Sequence, residues 1–161
     1  MSKGVEAIDE PIMVIKDICP EHVKINSTIW TPLNKRIIAG YFNIYCMVIS
    51  RCQDGSLRVI NAETGKVEKV MDVHNGDVTC LITSYDHSMF ATASKDAKTK
   101  VFDIMTLEEI CCFATDRPLN GVALSPILNH LVVVGGVEAR DVTTTRTQKM
   151  EVFIIVFTFK Y

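Results

Sequence analysis

The sequence predicts an all-β protein built from repeated four-stranded units, and three observations carry that expectation. The chain repeats itself at an offset of 42 residues, short β-type segments recur inside each copy, and no segment shows the apolar spacing of a long amphipathic helix. Four short strands in about 42 residues is the arithmetic of a β-propeller blade. A small sandwich, the runner-up, would not demand a fixed period. The expected architecture is a partial propeller of about three blades, the last incomplete.

Residues 1–21 read as an N-terminal segment carrying the outer strand of a preceding blade. The first blade is expected at 22–72. Cys52 to Asn61 matches Ser94 to Asp103 at the offset of 42, each a polar turn with a central Asp followed by a strand. Upstream, Ile25 to Gly40 matches Val78 to Ala93 at an offset of 53, pairing Ile29 with Ile82, Ile37 with Phe90 and Ala39 with Thr92. The two offsets differ by eleven, which predicts an insertion at Tyr41 to Arg51. Asp54-Gly55 and Thr64-Gly65 supply residues that accept positive φ in the turns.

The second blade, 73–116, should place strands at about Val78 to Thr83, Met89 to Ala93, Thr99 to Asp103 and Glu109 to Ala114, with Tyr85-Asp86-His87-Ser88 as a polar hairpin tip. A third, degenerate blade at 117–149 aligns Ser125-Pro126 with Ser84-Tyr85, and Leu131 to Val134 with Phe90 to Ala93, at an offset of 41. Residues 150–161 read as an atypical apolar tail. Its stretch Val152 to Phe159, uncharged and rich in β-formers, is expected to be an exposed aggregation segment.

Composition excludes several function classes. In 161 residues, 17 basic and 19 acidic side chains give a net charge of -2, so no global electrostatic case exists for nucleic acid or a membrane surface. No apolar run approaches the roughly 20 residues of a spanning helix. The start of the chain lacks the pattern of a signal peptide, and a cytoplasmic protein is expected. Cys19, Cys46, Cys52, Cys80, Cys111 and Cys112 form no C-x-x-C pair and read as small strand hydrophobes, against the alternative of a cysteine-dependent redox or metal enzyme.

His22, His74, His87 and His130 are scattered, without the spacing of a metal site. Gly135-Gly136 and Glu63-Thr64-Gly65-Lys66 lack the context of a phosphate loop, and no nucleophile sits beside a base. No catalytic, cofactor-binding or metal-binding residue is therefore assigned. Lys95, Lys98 and Lys100 could contact RNA, but read better as a solvated edge that deters strand pairing. Trp30, the single tryptophan, is expected in the core.

The second copy resembles a WD-repeat blade. His74, Thr92 and Asp96 stand at the positions of that family's polar network, and Phe102-Asp103 replaces its Trp-Asp. The resemblance implies that the Asp carboxylate accepts from the His ring and the ring bonds the hydroxyl, under an aromatic cover. With Phe102 the indole donor is missing, so a weaker network is expected. Copy one keeps Asp54 but aligns Ala39 with the hydroxyl and Ile60 with the aromatic. In copy three Val133 and Val137 take the hydroxyl and Asp positions.

Longer strings narrow the resemblance. Ala93-Ser94-Lys95-Asp96-Ala97-Lys98, Arg117-Pro118-Leu119-Asn120-Gly121-Val122 and Asp141-Val142-Thr143-Thr144-Thr145 are similar to central blades of the subunit I family of eukaryotic translation initiation factor three. That resemblance implies a fragment of a seven-bladed ring, with 41–51 and the tail foreign to it and expected to be translated intron sequence. It implies a non-catalytic protein–protein scaffold that joins the factor through subunits B and G. Such a scaffold would support messenger RNA recruitment to the small ribosomal subunit, without direct sequence-specific nucleic-acid binding and without a membrane role. The alternative is a WD-repeat signalling adaptor for a receptor kinase or other partner. Candidate partner contacts are Asn75, Asp77, Lys95, Lys98, Glu138, Arg140 and Asp141.

Overall fold

Period-2 segments of β-branched and aromatic residues, punctuated by Asp, Gly and Ser turns, favour short antiparallel strands. A computed structural model describes residues 14, 16, 18, 20, 21, 23–30, 47–61, 64–136 and 153–159, and these contain eleven strands. The first sheet orders β1 (Ile25–Trp30), β2 (Met47–Cys52), β3 (Ser56–Asn61) and β4 (Val67–Asp72) as sequential neighbours. The second does the same with β5 (Val78–Thr83), β6 (Met89–Ser94), β7 (Lys98–Asp103) and β8 (Glu109–Ala114). The third contains β9 (Leu119–Leu124), β10 (His130–Gly135) and β11 (Phe153–Thr158). All pairings are antiparallel.

The sheets stack face to face, which is why β6 is buried along its whole length. Its Phe90 joins Ile49, Leu57, Val59, Val78, Leu81 and Phe102 in a core between the first and second sheets. Its alternate residues Met89, Ala91 and Ala93 join Leu119, Val122, Leu131, Val133 and Phe159 in a core between the second and third. Polar bonds cross the second gap: the Thr79 hydroxyl is 2.7 Å from the Leu119 carbonyl. This is the all-β architecture of propeller blades packed side by side.

Two segments differ from the sequence reading. β2 begins at Met47, so Met47 to Arg51 belong to the sheet rather than to an insertion. The connection β1–β2 runs 31–46 and its counterpart β5–β6 runs 84–88, so the eleven extra residues fall before β2. Pairing decides this. Ile29 lies opposite Ile49 on one side of β2, and Ile49 opposite Val59 on the other. Ser50 then lies opposite Arg58 as Thr92 lies opposite Lys100, so Ser50, not Ala39, holds the hydroxyl position in the first sheet. Ala39 and the insertion's first residues lie outside the described residues, as do 1–13.

The apolar tail is the second difference. Phe153–Thr158 pairs with β10 from His130↔Thr158 to Gly135↔Phe153, the place that β7 takes beside β6. One face of this strand is covered: the Phe157 ring stacks on Phe113 of β8 at 4.4 Å, and Phe159 beyond its end is buried. The other face shows Ile154 at 67% and Val156 at 56% exposure. The tail is therefore an integral strand, solvated on one side. Among the described residues no helix is long and apolar enough to cross a membrane.

Candidate functional site

The ends of β5, β6 and β7 bring the loop 74–77 and the turn 95–97 together at one end of the second sheet. The His74 ring is enclosed there. Its Nδ1 lies 3.0 Å from Asp96 Oδ2 and 3.2 Å from Oδ1, and its Nε2 lies 2.8 Å from the Thr92 hydroxyl. Burial pushes the His74 pKa below the ordinary histidine value, against the opposing pull of Asp96. The Asp96 carboxyl also titrates low. Its burial acts upward, but the Asn75 amide, the His74 ring and the Lys98 amide stabilise the carboxylate and win.

These directions fix the roles. An ionised Asp96 takes the Nδ1–H of a neutral imidazole, and Nε2 accepts the Thr92 O–H. Asp96 also accepts the backbone N–H groups of Asn75 at 3.1 Å and Lys98 at 3.0 Å, so one carboxylate clamps both loops. Phe102 does not reach the network as a donor. It is buried and stacks on Phe90, with ring centroids 4.9 Å apart.

Sequence reasoning missed several members of this end. The Ser94 hydroxyl donates to the Gly76 carbonyl at 3.0 Å and accepts the Asp96 N–H at 3.1 Å. Gly55, at φ +84°, presents its carbonyl to the His74 N–H at 3.1 Å, and a Cβ there would collide with the His74 carbonyl. In the first sheet the turn Asp is held differently. Arg58 bonds Asp54 Oδ2 at 3.2 Å and the Ser56 hydroxyl at 2.6 Å, a buried guanidinium where the second sheet has Lys100. The signal was the alternation Asp54-Gly55-Ser56-Leu57-Arg58, with three polar groups on one side of a strand.

Of the candidate contact residues, Asn75 and Lys98 are exposed, and Lys95 reaches Asp77 at 3.5 Å. Lys100 bonds Glu109 at 2.8 Å, so two of the three lysines meet carboxylates. Glu138, Arg140, Asp141 and the side chain of Trp30 lie outside the described residues.

The opposite end carries a surface that sequence reasoning did not single out. A cleft of about 110 Å³ opens between the hairpin tips 84–88 and 125–129, rimmed by exposed Tyr85, Ile127 and Leu128. Among the described residues no group of three or more His, Cys, Asp or Glu is placed to hold a metal ion. Burial raises the Cys111 thiol to about 11, so it stays protonated at neutral pH.

Comparison with known proteins agrees with this geometry. Residues 65–103 match the WD domain, G-beta repeat, family, a window from the outer part of the first sheet through β7. The chain is 41% identical over 140 residues to eukaryotic translation initiation factor 3 subunit I of Xenopus tropicalis, covering 87% of this chain and 39% of the relative. The Homo sapiens subunit I gives the same identity and coverage, and that of Bos taurus is 42% identical over 125 residues. The chain thus spans about two fifths of the length of the curated relatives it matches. Among solved structures it resembles U3-55K, with a TM-score of 0.58 at 15% identity over 73% of this chain and 35% of that one. The RRP9 WD40 repeats give 0.57 at 15% identity, with 73% and 34% coverage, a likeness of fold.

Proposed function

As a WD-repeat protein similar to subunit I of eukaryotic translation initiation factor 3, this chain is, we propose, a non-catalytic protein–protein scaffold of translation initiation. The observation that carries the reading is identity of 41% across 87% of the chain, to relatives that all bear that subunit's name. The chemistry of the described residues agrees. The buried polar groups of the His74–Thr92–Asp96 network bond one another, and so hold loops in place rather than present a reactive atom.

In this reading the chain acts in the cytoplasm. It contacts other subunits of the factor, B and G among them, and through them supports messenger RNA recruitment to the small ribosomal subunit. The contacts would fall on the loop end around Asn75, Asp77, Lys95 and Lys98, and on Glu138, Arg140 and Asp141. Lys95 and Lys100 spend their charge on Asp77 and Glu109, which favours a protein partner over direct RNA contact.

The test is affinity capture of the tagged chain from a eukaryotic lysate, followed by gradient sedimentation. Co-purification of initiation factor 3 subunits, with a share of the chain moving with the small ribosomal subunit, is expected. Capture of a receptor kinase complex with no initiation factor subunit would replace this reading with a signalling adaptor.

A further inference from the structure

Two Asn-Gly steps occur in the sequence, Asn75-Gly76 and Asn120-Gly121, and the fold treats them in opposite ways. Asparagine is thermally labile because its side-chain amide carbon can be attacked by the next backbone nitrogen. A following glycine, without a Cβ, offers the least obstruction to that ring closure.

Asn120 lies in β9, with Gly121 opposite Val134 in the ladder, and its Nδ2 donates to the Gly136 carbonyl at 3.3 Å. Closing a ring there requires pulling a paired strand apart. Asn75 is exposed in a loop between β4 and β5. Its flanks are held: its own N–H bonds Asp96 Oδ2 at 3.1 Å, and the Gly76 carbonyl accepts from Ser94. The two reacting groups are not held. Neither the Asn75 side-chain amide nor the Gly76 N–H has a hydrogen-bond partner among the described residues.

We infer that Asn75-Gly76 is a site of spontaneous succinimide formation, converting Asn75 to aspartate and isoaspartate without an enzyme. The Gly76 nitrogen gives up its proton to solvent base and bonds to Asn75 Cγ. The Cγ–Nδ2 bond breaks, and ammonia leaves. Water then opens the ring at either carbonyl, restoring Gly76 N–H in aspartate or routing the chain through the former side chain in isoaspartate. Both products add one negative charge beside Asp96. Isoaspartate also lengthens the backbone by one methylene between His74 and Gly76, which separates the residue 75 N–H from its Asp96 acceptor. The reaction ages the loop that closes over the His74–Asp96 pair, and it does not depend on the function proposed above.

The test incubates the folded chain at mildly alkaline pH, digests it, and follows the mass change of an amide becoming an acid in the two peptides. Isoaspartate is confirmed by methyl transfer from a specific carboxyl methyltransferase, using S-adenosylmethionine. Conversion at Asn75 should exceed that at Asn120 by at least about tenfold, because strand pairing must open before Asn120 can react. In denaturant the two rates should converge, and Asn75→Gln should remove the methylation signal while Asn120→Gln leaves it. Equal rates in the folded chain overturn the inference. So does an Asn75 that stays intact when folded but converts in denaturant.

Discussion

The carbonyl of Gly55 accepts the backbone N–H of His74 at 3.1 Å, so the turn of the first sheet and the buried histidine of the second are parts of one structure. Asp54 beside it is clamped by Arg58, and His74 by Asp96 and Thr92. The two polar networks therefore meet through a single backbone hydrogen bond, at the place where the first sheet hands the chain to the second.

Gly55→Ala tests that junction. The residue sits at φ +84°, and an added Cβ would run into the His74 carbonyl, so strain and collision add. Urea unfolding should show a loss of about 2 kcal/mol or more. A midpoint equal to that of the parent chain would mean that the turn rearranges freely.

Thr92→Val keeps the shape of a fully buried side chain and removes the hydroxyl that His74 Nε2 accepts. The ring nitrogen is then left without a donor, at a cost of about 1 to 3 kcal/mol. Thr92→Ser should recover most of the loss in the same unfolding measurement, because the hydroxyl returns.

Acid should weaken the fold in two stages. The His74 pKa is lowered from 6.5, so as pH falls below that value the unfolded chain takes up the proton first and the native state loses stability. Asp96 is lowered from 3.8, and its contribution, present above that value, is lost as pH falls through its folded pKa. Thermal midpoints measured from about pH 7.5 to about pH 5 should decline, and more gently in His74→Asn. Equal slopes for both proteins would place the acid sensitivity elsewhere.

The last strand should tolerate change on one side only. Val156→Thr lies on the exposed face of β11 and should shift stability by no more than about 0.5 kcal/mol. Phe157→Ala removes the ring stacked on Phe113 and should cost about 2 kcal/mol, given that the side chain is half-buried. Amide exchange in Phe153–Thr158 should rise in the second variant and not in the first. Similar exchange in both would mean that the strand gains little from its seat.

The strands of the second sheet were legible from sequence to within a residue at their ends, because alternation and turn chemistry are local signals. His74, Thr92 and Asp96 were legible as a set because their spacing matches a known blade pattern, and the structure brings them within hydrogen-bonding distance. The place of β2 was not. Ile37-Ile38 and Val48-Ile49 are equally strand-like in isolation, and only pairing to β1 and β3 on both edges selects the second. The role of Arg58 was hidden for a related reason, since a buried guanidinium depends on acceptors that the turn folds back to provide.

By itself the sequence determined the period, the all-β class, the turns and the family likeness, all of which depend on residues close together or on a repeated spacing. The tertiary structure alone decided that the apolar segment after the long connection is a strand of the third sheet. β propensity says that Phe153–Thr158 can pair, but not with what. The partner is β10, and the reason is packing: there Phe157 meets Phe113 and Phe159 enters the core shared with β6 and β9, burial that no neighbouring residue in the chain could supply.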